Sequence, residues 1–119
     1  MRSLPRLLGA VLSVSLLCHA PSVDASSWRP VGPWGGYATQ IVRCDAAPSV
    51  LYAISEYGGV HRSTDGGVTW STANGDLPPV DYSVGVLTPD PSHGEAAWLS
   101  NGVDLWRTQD GGRHWAARP

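Results

Sequence analysis

Carboxylates set beside aromatic rings are the residues of this chain best suited to chemistry: Trp34 and Tyr37, Glu56 next to Tyr57, Asp76, Asp81 next to Tyr82, and Asn101 further on. Sugars stack their C–H faces on aromatic rings and offer hydroxyls to acidic and amide groups, so this mixture points to a carbohydrate ligand. Hydrolysis of a glycoside asks for more, normally two carboxyl groups about 5 to 10 Å apart flanking the bond. Glu56 is the one catalytic candidate, and no complete carboxylate pair is evident.

Other chemistries find less support. His61, His93 and His114 lack metal-ligand spacing and Cys44 has no cysteine partner near it, so neither a metal nor a cofactor is expected. Cys44 reads as a small buried hydrophobe. The Asp-Gly-Gly triplets sit between strand-like runs and do not open a helix, which removes a phosphate-cradling loop. From residue 26 onward nine Asp and Glu face six Arg and no Lys, the opposite of a nucleic-acid footprint.

The elements that must position these residues are repeats. Ser63-Thr64-Asp65-Gly66-Gly67-Val68-Thr69-Trp70 recurs 45 residues later as Thr108-Gln109-Asp110-Gly111-Gly112-Arg113-His114-Trp115. Laid without a gap, residues 42–70 match 87–115 at Asp45/Asp90, Ser55/Ser100, Arg62/Arg107 and then the Asp, both Gly and the Trp of each octapeptide. A period of 40 to 50 residues built from short β-rich runs is that of propeller blades. The runs read as strands at 38–43, 50–55, 59–63 and 69–72, and again at 82–88, 96–100, 103–108 and 114–117. The expected fold is therefore all-β: two four-stranded antiparallel meanders, about 38–73 and 82–117.

Turn chemistry agrees. The turns at Asp45 and Asp90 join first to second strands, Tyr57-Gly58-Gly59 and Asn101-Gly102 join second to third, and Asp-Gly-Gly joins third to fourth. In each octapeptide the Ser63 or Thr108 hydroxyl and the Asp65 or Asp110 carboxylate can bond amides of the turn, and Trp70 or Trp115 can fold back over the hairpin.

With Ser63, Asp65, Gly67, Thr69 and Trp70 in place, the first octapeptide resembles the Asp-box, or bacterial neuraminidase repeat. The second keeps Thr108, Asp110, Gly112 and Trp115 but has His114 where Thr is usual. Sialidases, xyloglucan-cleaving glycosidases, sortilin-type receptors and photosystem II assembly factors share this repeat, so it implies architecture and leaves activity open. The resemblance implies that the box is a structural turn pointing away from the ligand face. With strands running from the channel outward, the loops entering the inner strands and those joining second to third strands share the face where propellers usually bind ligands. That face carries Trp34, Tyr37, Glu56, Tyr57, Asp76, Asp81, Tyr82 and Asn101. The stretch from Gly35 to Gly59 is similar to the first blade of xyloglucan-cleaving enzymes, where a catalytic Asp stands at the place of Glu56, its partner carboxylate coming from a second domain. Sialidases grip their substrate with three Arg; Arg62 and Arg107, at equivalent places before the boxes, read instead as repeat packing.

Arg2 and Arg6 ahead of the apolar run Leu7–Leu17 predict a signal peptide over 1–25, cut after Val23-Asp24-Ala25, and hence a secreted or periplasmic protein without membrane attachment. Lipidation at Cys18 is the alternative, disfavoured by Leu17 before it. Trp28 precedes Trp70 by nearly one period, so residues 28–31 are either an orphan outer strand or an extended lead-in. Two blades leave a ring unfinished. The expectation is a part of a longer propeller, or copies that close a ring together. Three functions remain in play: a catalytically incomplete segment binding carbohydrate or protein, the N-terminal piece of a secreted glycoside hydrolase, and a small lectin that oligomerises.

Overall fold

The computed structural model describes residues 29–79, 82 and 85–119; the segment 1–25, Trp28 and Asp81 lie outside the described residues. Alternating side chains and glycine-rich turns produce eight strands: β1 (Ala38–Arg43), β2 (Leu51–Ser55), β3 (Gly59–Ser63), β4 (Ser71–Thr72), β5 (Val86–Pro89), β6 (Ala97–Ser100), β7 (Leu105–Thr108) and β8 (Ala116–Arg118). They form two antiparallel meanders, β1-β2-β3-β4 and β5-β6-β7-β8, as the repeat predicts. We call these sheets blade 1 and blade 2. Arg29–Val31 join neither ladder.

Differences from the expected strands have local causes. β4 starts at Ser71, because Thr69 and Trp70 bond the octapeptide turn: the Thr69 amide donates to Asp65 (2.9 Å) and Trp70 Nε1 to the Gly67 carbonyl (3.1 Å). β5 starts at Val86, later than Tyr82, because the Tyr82 hydroxyl is held by the Pro78 carbonyl (2.6 Å) and its own carbonyl accepts the Gly85 amide.

The octapeptide turns are two renderings of one hydrogen-bond pattern. Ser63 Oγ donates to Asp65 (2.8 Å) and accepts from the Gly67 amide (2.9 Å); Thr108 Oγ1 does the same with Asp110 (2.9 Å) and Gly112 (2.9 Å). The Thr69 hydroxyl donates to the second Asp65 oxygen, and in the other copy His114 Nδ1 takes that place against Asp110 (2.6 Å). Those donors, Thr69 first, hold the Asp65 carboxyl at about 2; His114 likewise depresses Asp110.

The repeats do not superpose with one constant offset. The Cys44 amide donates to Val50 and the Gly66 amide to Ser49 in blade 1; in blade 2 the Asp90 amide donates to Ala96 and the Gly111 amide to Glu95. Cys44 thus corresponds to Asp90 and Ser49 to Glu95, an offset of 46 residues. After the β2–β3 hairpin and its blade 2 counterpart it is 45, since Ile54 pairs with Val60 across five residues while the equivalent Ser100 pairs with Leu105 across four. The ungapped matches Asp45/Asp90 and Ser55/Ser100 are accordingly coincidences of sequence. Asp90 bonds its own turn through the Ser92 amide (2.8 Å).

One apolar core lies between the blades. From blade 1 come Tyr52, Ile54 and Val60, from blade 2 Leu87, Leu99, Trp106 and Trp115, all buried. Polar bonds cross the same seam: Tyr52 hydroxyl to the Gly94 carbonyl (3.2 Å), Trp115 Nε1 to the Ala73 carbonyl (2.8 Å), and an Arg62–Glu95 ion pair whose guanidinium lies over the Tyr52 ring. Cys44 is a fully buried thiol directed at the Asp90 carbonyl (3.4 Å), in keeping with its expected packing role.

Candidate functional site

A cleft of about 260 Å³ opens where the β2–β3 hairpin meets the connection from blade 1 to blade 2. Glu56 and Tyr57 form its hairpin wall; Asn74, Leu77, Pro78 and Tyr82 form the wall opposite. Two backbone bonds continue the β1–β2 ladder past the strand ends, from the Glu56 amide to Tyr37 (2.9 Å) and from the Tyr57 amide to Gly35 (2.9 Å). They lay the Trp34–Tyr37 loop beside the hairpin. The approach is close: at Gly36, with φ +101°, a Cβ would come within 3.0 Å of the Tyr57 ring and 3.3 Å of Glu56.

This arrangement leaves Trp34 65%, Tyr37 80% and Tyr57 82% exposed on adjoining loops, with Tyr57 the one of the three that lines the cleft beside Glu56. Exposed aromatic faces with a carboxylate beside them can stack a sugar ring and hold its hydroxyls. Among the described residues Glu56 is the only carboxylate lining the cleft. Paired-carboxylate hydrolysis needs a second group, which none of the described lining residues supplies.

Four further residues expected on this face fare differently. Tyr82 lines the cleft but is buried, its ring edge-on to Trp106 (5.9 Å) and its hydroxyl tied to Pro78; burial pushes its pKa up. Asp76 lies elsewhere, around a depression shared with Asp110, His114 and Trp115. The reason is the turn at Asn74–Leu77, where Gly75 packs against the Arg113 carbonyl and carries the chain toward the second octapeptide. Asn101 is committed to its own hairpin, accepting from the Val103 (3.0 Å) and Asp104 (2.8 Å) amides. Asp81 lies outside the described residues.

Asn74 is the residue that sequence reasoning missed. Its side chain accepts from the Val60 amide (2.7 Å) and donates to the Gly58 carbonyl (3.0 Å), sewing the connection onto the hairpin and shaping the cleft. Its position just after a strand and before Gly75 is a turn signal, but nothing in the sequence says which backbone it grips. Beneath the hairpin, Ser55 Oγ and His61 Nε2 are 2.9 Å apart and buried. Burial lowers the His61 pKa and favours the neutral ring. With the Trp34 carbonyl and Gly58 against it, the pair is closed to a substrate and serves the packing of the turn.

Among the described residues no group of three or more His, Cys, Asp or Glu converges as a metal site, and no helix is long and apolar enough to cross a membrane. Arg62 and Arg107 lie over the Tyr52 and Trp98 rings, away from the cleft.

No known family pattern matches the chain. It is similar to vacuolar protein sorting/targeting protein 10 of Mycosarcoma maydis, 28% identical over 113 residues, which is 94% of this chain and 7% of that protein. Its fold is similar to the crystal structure of an ancestral GH74 enzyme, with a TM-score of 0.59 at 23% identity over 79% of this chain and 12% of that one. The chain thus spans a small fraction of either protein. The two meanders are blades of the β-propeller type.

Proposed function

We propose that the chain is an exported Asp-box propeller segment, catalytically incomplete by itself, that binds carbohydrate at the cleft between Glu56 and Tyr82. The exposed Tyr57 ring lining the cleft with Glu56, and the exposed Trp34 and Tyr37 on the adjoining loop, support this reading best. The rings supply the stacking platform and Glu56 the hydroxyl acceptor. A protein ligand could use the same rings as anchors, and is the other outcome of the test.

Titrating the chain with xyloglucan and sialoside oligosaccharides, followed by amide chemical shifts, tests it. Shifts confined to Trp34–Tyr37, Glu56–Gly59 and Asn74–Pro79, weakened at least tenfold by Tyr57→Ala, are expected. Turnover by the chain alone, abolished by Glu56→Gln, would overturn the non-catalytic part of the proposal. Absence of any glycan response in these residues would overturn the carbohydrate part.

A second reading, a piece of a secreted glycoside hydrolase, is favoured by one observation: the cleft carries a carboxylate, Glu56, at the tip of a hairpin. It requires that Glu56→Gln abolish turnover once the missing carboxylate is supplied by the rest of such an enzyme.

A further inference from the structure

The surface through which blade 1 receives blade 2 is repeated on the far side of blade 2. Paired residues of an antiparallel ladder project to one side of the sheet. In blade 1 the side covered by blade 2 carries Gln40, Tyr52, Ile54, Val60 and Arg62. The same registers put Val86, Thr88, Trp98, Ser100, Leu105 and Arg107 on the corresponding side of blade 2. Val86 there is 59% exposed and Leu105 38%, whereas Val60 is fully buried. Arg107 stands over Trp98 (5.1 Å) as Arg62 stands over Tyr52, but Arg62 meets Glu95 and Arg107 forms no ion pair among the described residues. The Nε of both arginines is buried without a hydrogen-bond partner, so the difference lies in the ion pair, and Asp90 contributes only charge at a distance to Arg107.

We infer that this face docks a third blade carrying a carboxylate two residues ahead of its second strand, and that blade 1 of a second copy is the wrong partner. The acid follows from continuity with the existing seam: Glu95, two residues before β6, pairs with Arg62. Blade 1 has Ser49 at that place, two residues before β2. Its facing side also differs in bulk. Blade 2 offers Leu99 and Trp106 to the seam; the corresponding residues of blade 1 are Ala53 and His61, the latter locked to Ser55. A head-to-tail ring of identical chains would leave Arg107 facing a serine in a desolvated seam, which is costly.

The inference is tested by extending the full chain at Pro119 with one more period, either a second copy of residues 75–119, which brings Glu95, or a second copy of residues 30–74, which brings Ser49. The first extension is expected to raise the thermal midpoint by about 5 °C or more, and the second to leave it unchanged. Arg107→Gln in the original repeat should remove most of that rise while shifting the unextended chain little. Arg107→Glu should be rescued by Glu95→Arg in the added copy alone. Equal rises from both extensions, no rise from either, or a rise indifferent to Arg107 would overturn the proposal. So would light scattering that shows the unextended chain already assembled into closed rings.

Discussion

Gln40 and Leu87 are joined as though Gln40 were another strand. Its side-chain oxygen accepts the Leu87 amide (2.7 Å) and its side-chain nitrogen donates to the Leu87 carbonyl (3.0 Å). Leu87 lies on β5, the first strand of its sheet, and its backbone on that side has no ladder partner. A side-chain amide from β1 closes the edge and ties the inner strands of the two blades together. By the offset of 46 the corresponding residue of blade 2 is Val86, which has no amide to offer.

Gln40→Leu should therefore cost about 1–3 kcal/mol, because it leaves two backbone groups at a buried seam unpartnered while nearly conserving volume. Urea unfolding checks this. A loss below ~0.5 kcal/mol would mean that water replaces the amide freely.

The two octapeptide tryptophans are equivalent in sequence and unequal in structure. Trp115 is buried and donates across the seam to Ala73, whereas Trp70 is half-buried and donates within its own hairpin. Trp115→Phe should destabilise by about 1–3 kcal/mol through the stranded Ala73 carbonyl and lost packing. Trp70→Phe should cost clearly less in the same denaturation experiment. Equal losses would show that the hairpin contact, shared by both, outweighs the seam.

His114 makes the second turn sensitive to pH. The hydrogen bond to Asp110, and then its charge, raise the His114 pKa above the ordinary 6.5. A raised folded pKa stabilises fully below 6.5, and that contribution is lost as pH rises through the folded value. Asp110, depressed by the same bond, contributes above 3.8 and loses its contribution as pH falls through its folded value. His114→Thr, the residue found in the first octapeptide, should abolish the loss on the alkaline side of 6.5 and leave the acid side in place. NMR titration of the imidazole is the direct check; a midpoint at or below 6.5 would contradict the pairing.

How far the sequence reached depended on whether a bond was local. β1 and β3 begin and end where alternation and glycine pairs put them, and the octapeptide bonds are those its own side chains can make. The placing of Glu56 and Tyr57 together at an exposed turn was legible because they occupy a hairpin tip. Asn74, Asp76 and Asn101 were not, since their places depend on which neighbouring backbone each turn meets. The one residue by which the β2–β3 hairpin exceeds its blade 2 counterpart was hidden by two chance identities, Asp45/Asp90 and Ser55/Ser100, that made a gap look unnecessary.

The glycine pairs of the two turns separate backbone strain from packing between blades. Gly66 and Gly111 share φ +73°, and Gly67 and Gly112 have φ +92° and +88°, so adding a methyl group strains each pair alike. Their surroundings differ. A Cβ at Gly66 meets nothing within 4 Å, whereas at Gly111 it would stand 2.6 Å from Glu95 Oε2 and 3.1 Å from Arg62 Cζ. At Gly67 it would meet the flexible Leu51 side chain at 3.2 Å, but at Gly112 the Ala73 backbone oxygen at 2.5 Å. Gly66→Ala and Gly67→Ala should thus each cost about 1 kcal/mol. Gly112→Ala should cost at least ~1–3 kcal/mol more, because the blade backbones must part. Gly111→Ala should fall between, since the Arg62–Glu95 pair can shift. Denaturation midpoints of the four variants decide the matter, and similar losses for Gly67→Ala and Gly112→Ala would mean that blade 2 does not press on blade 1 through its octapeptide.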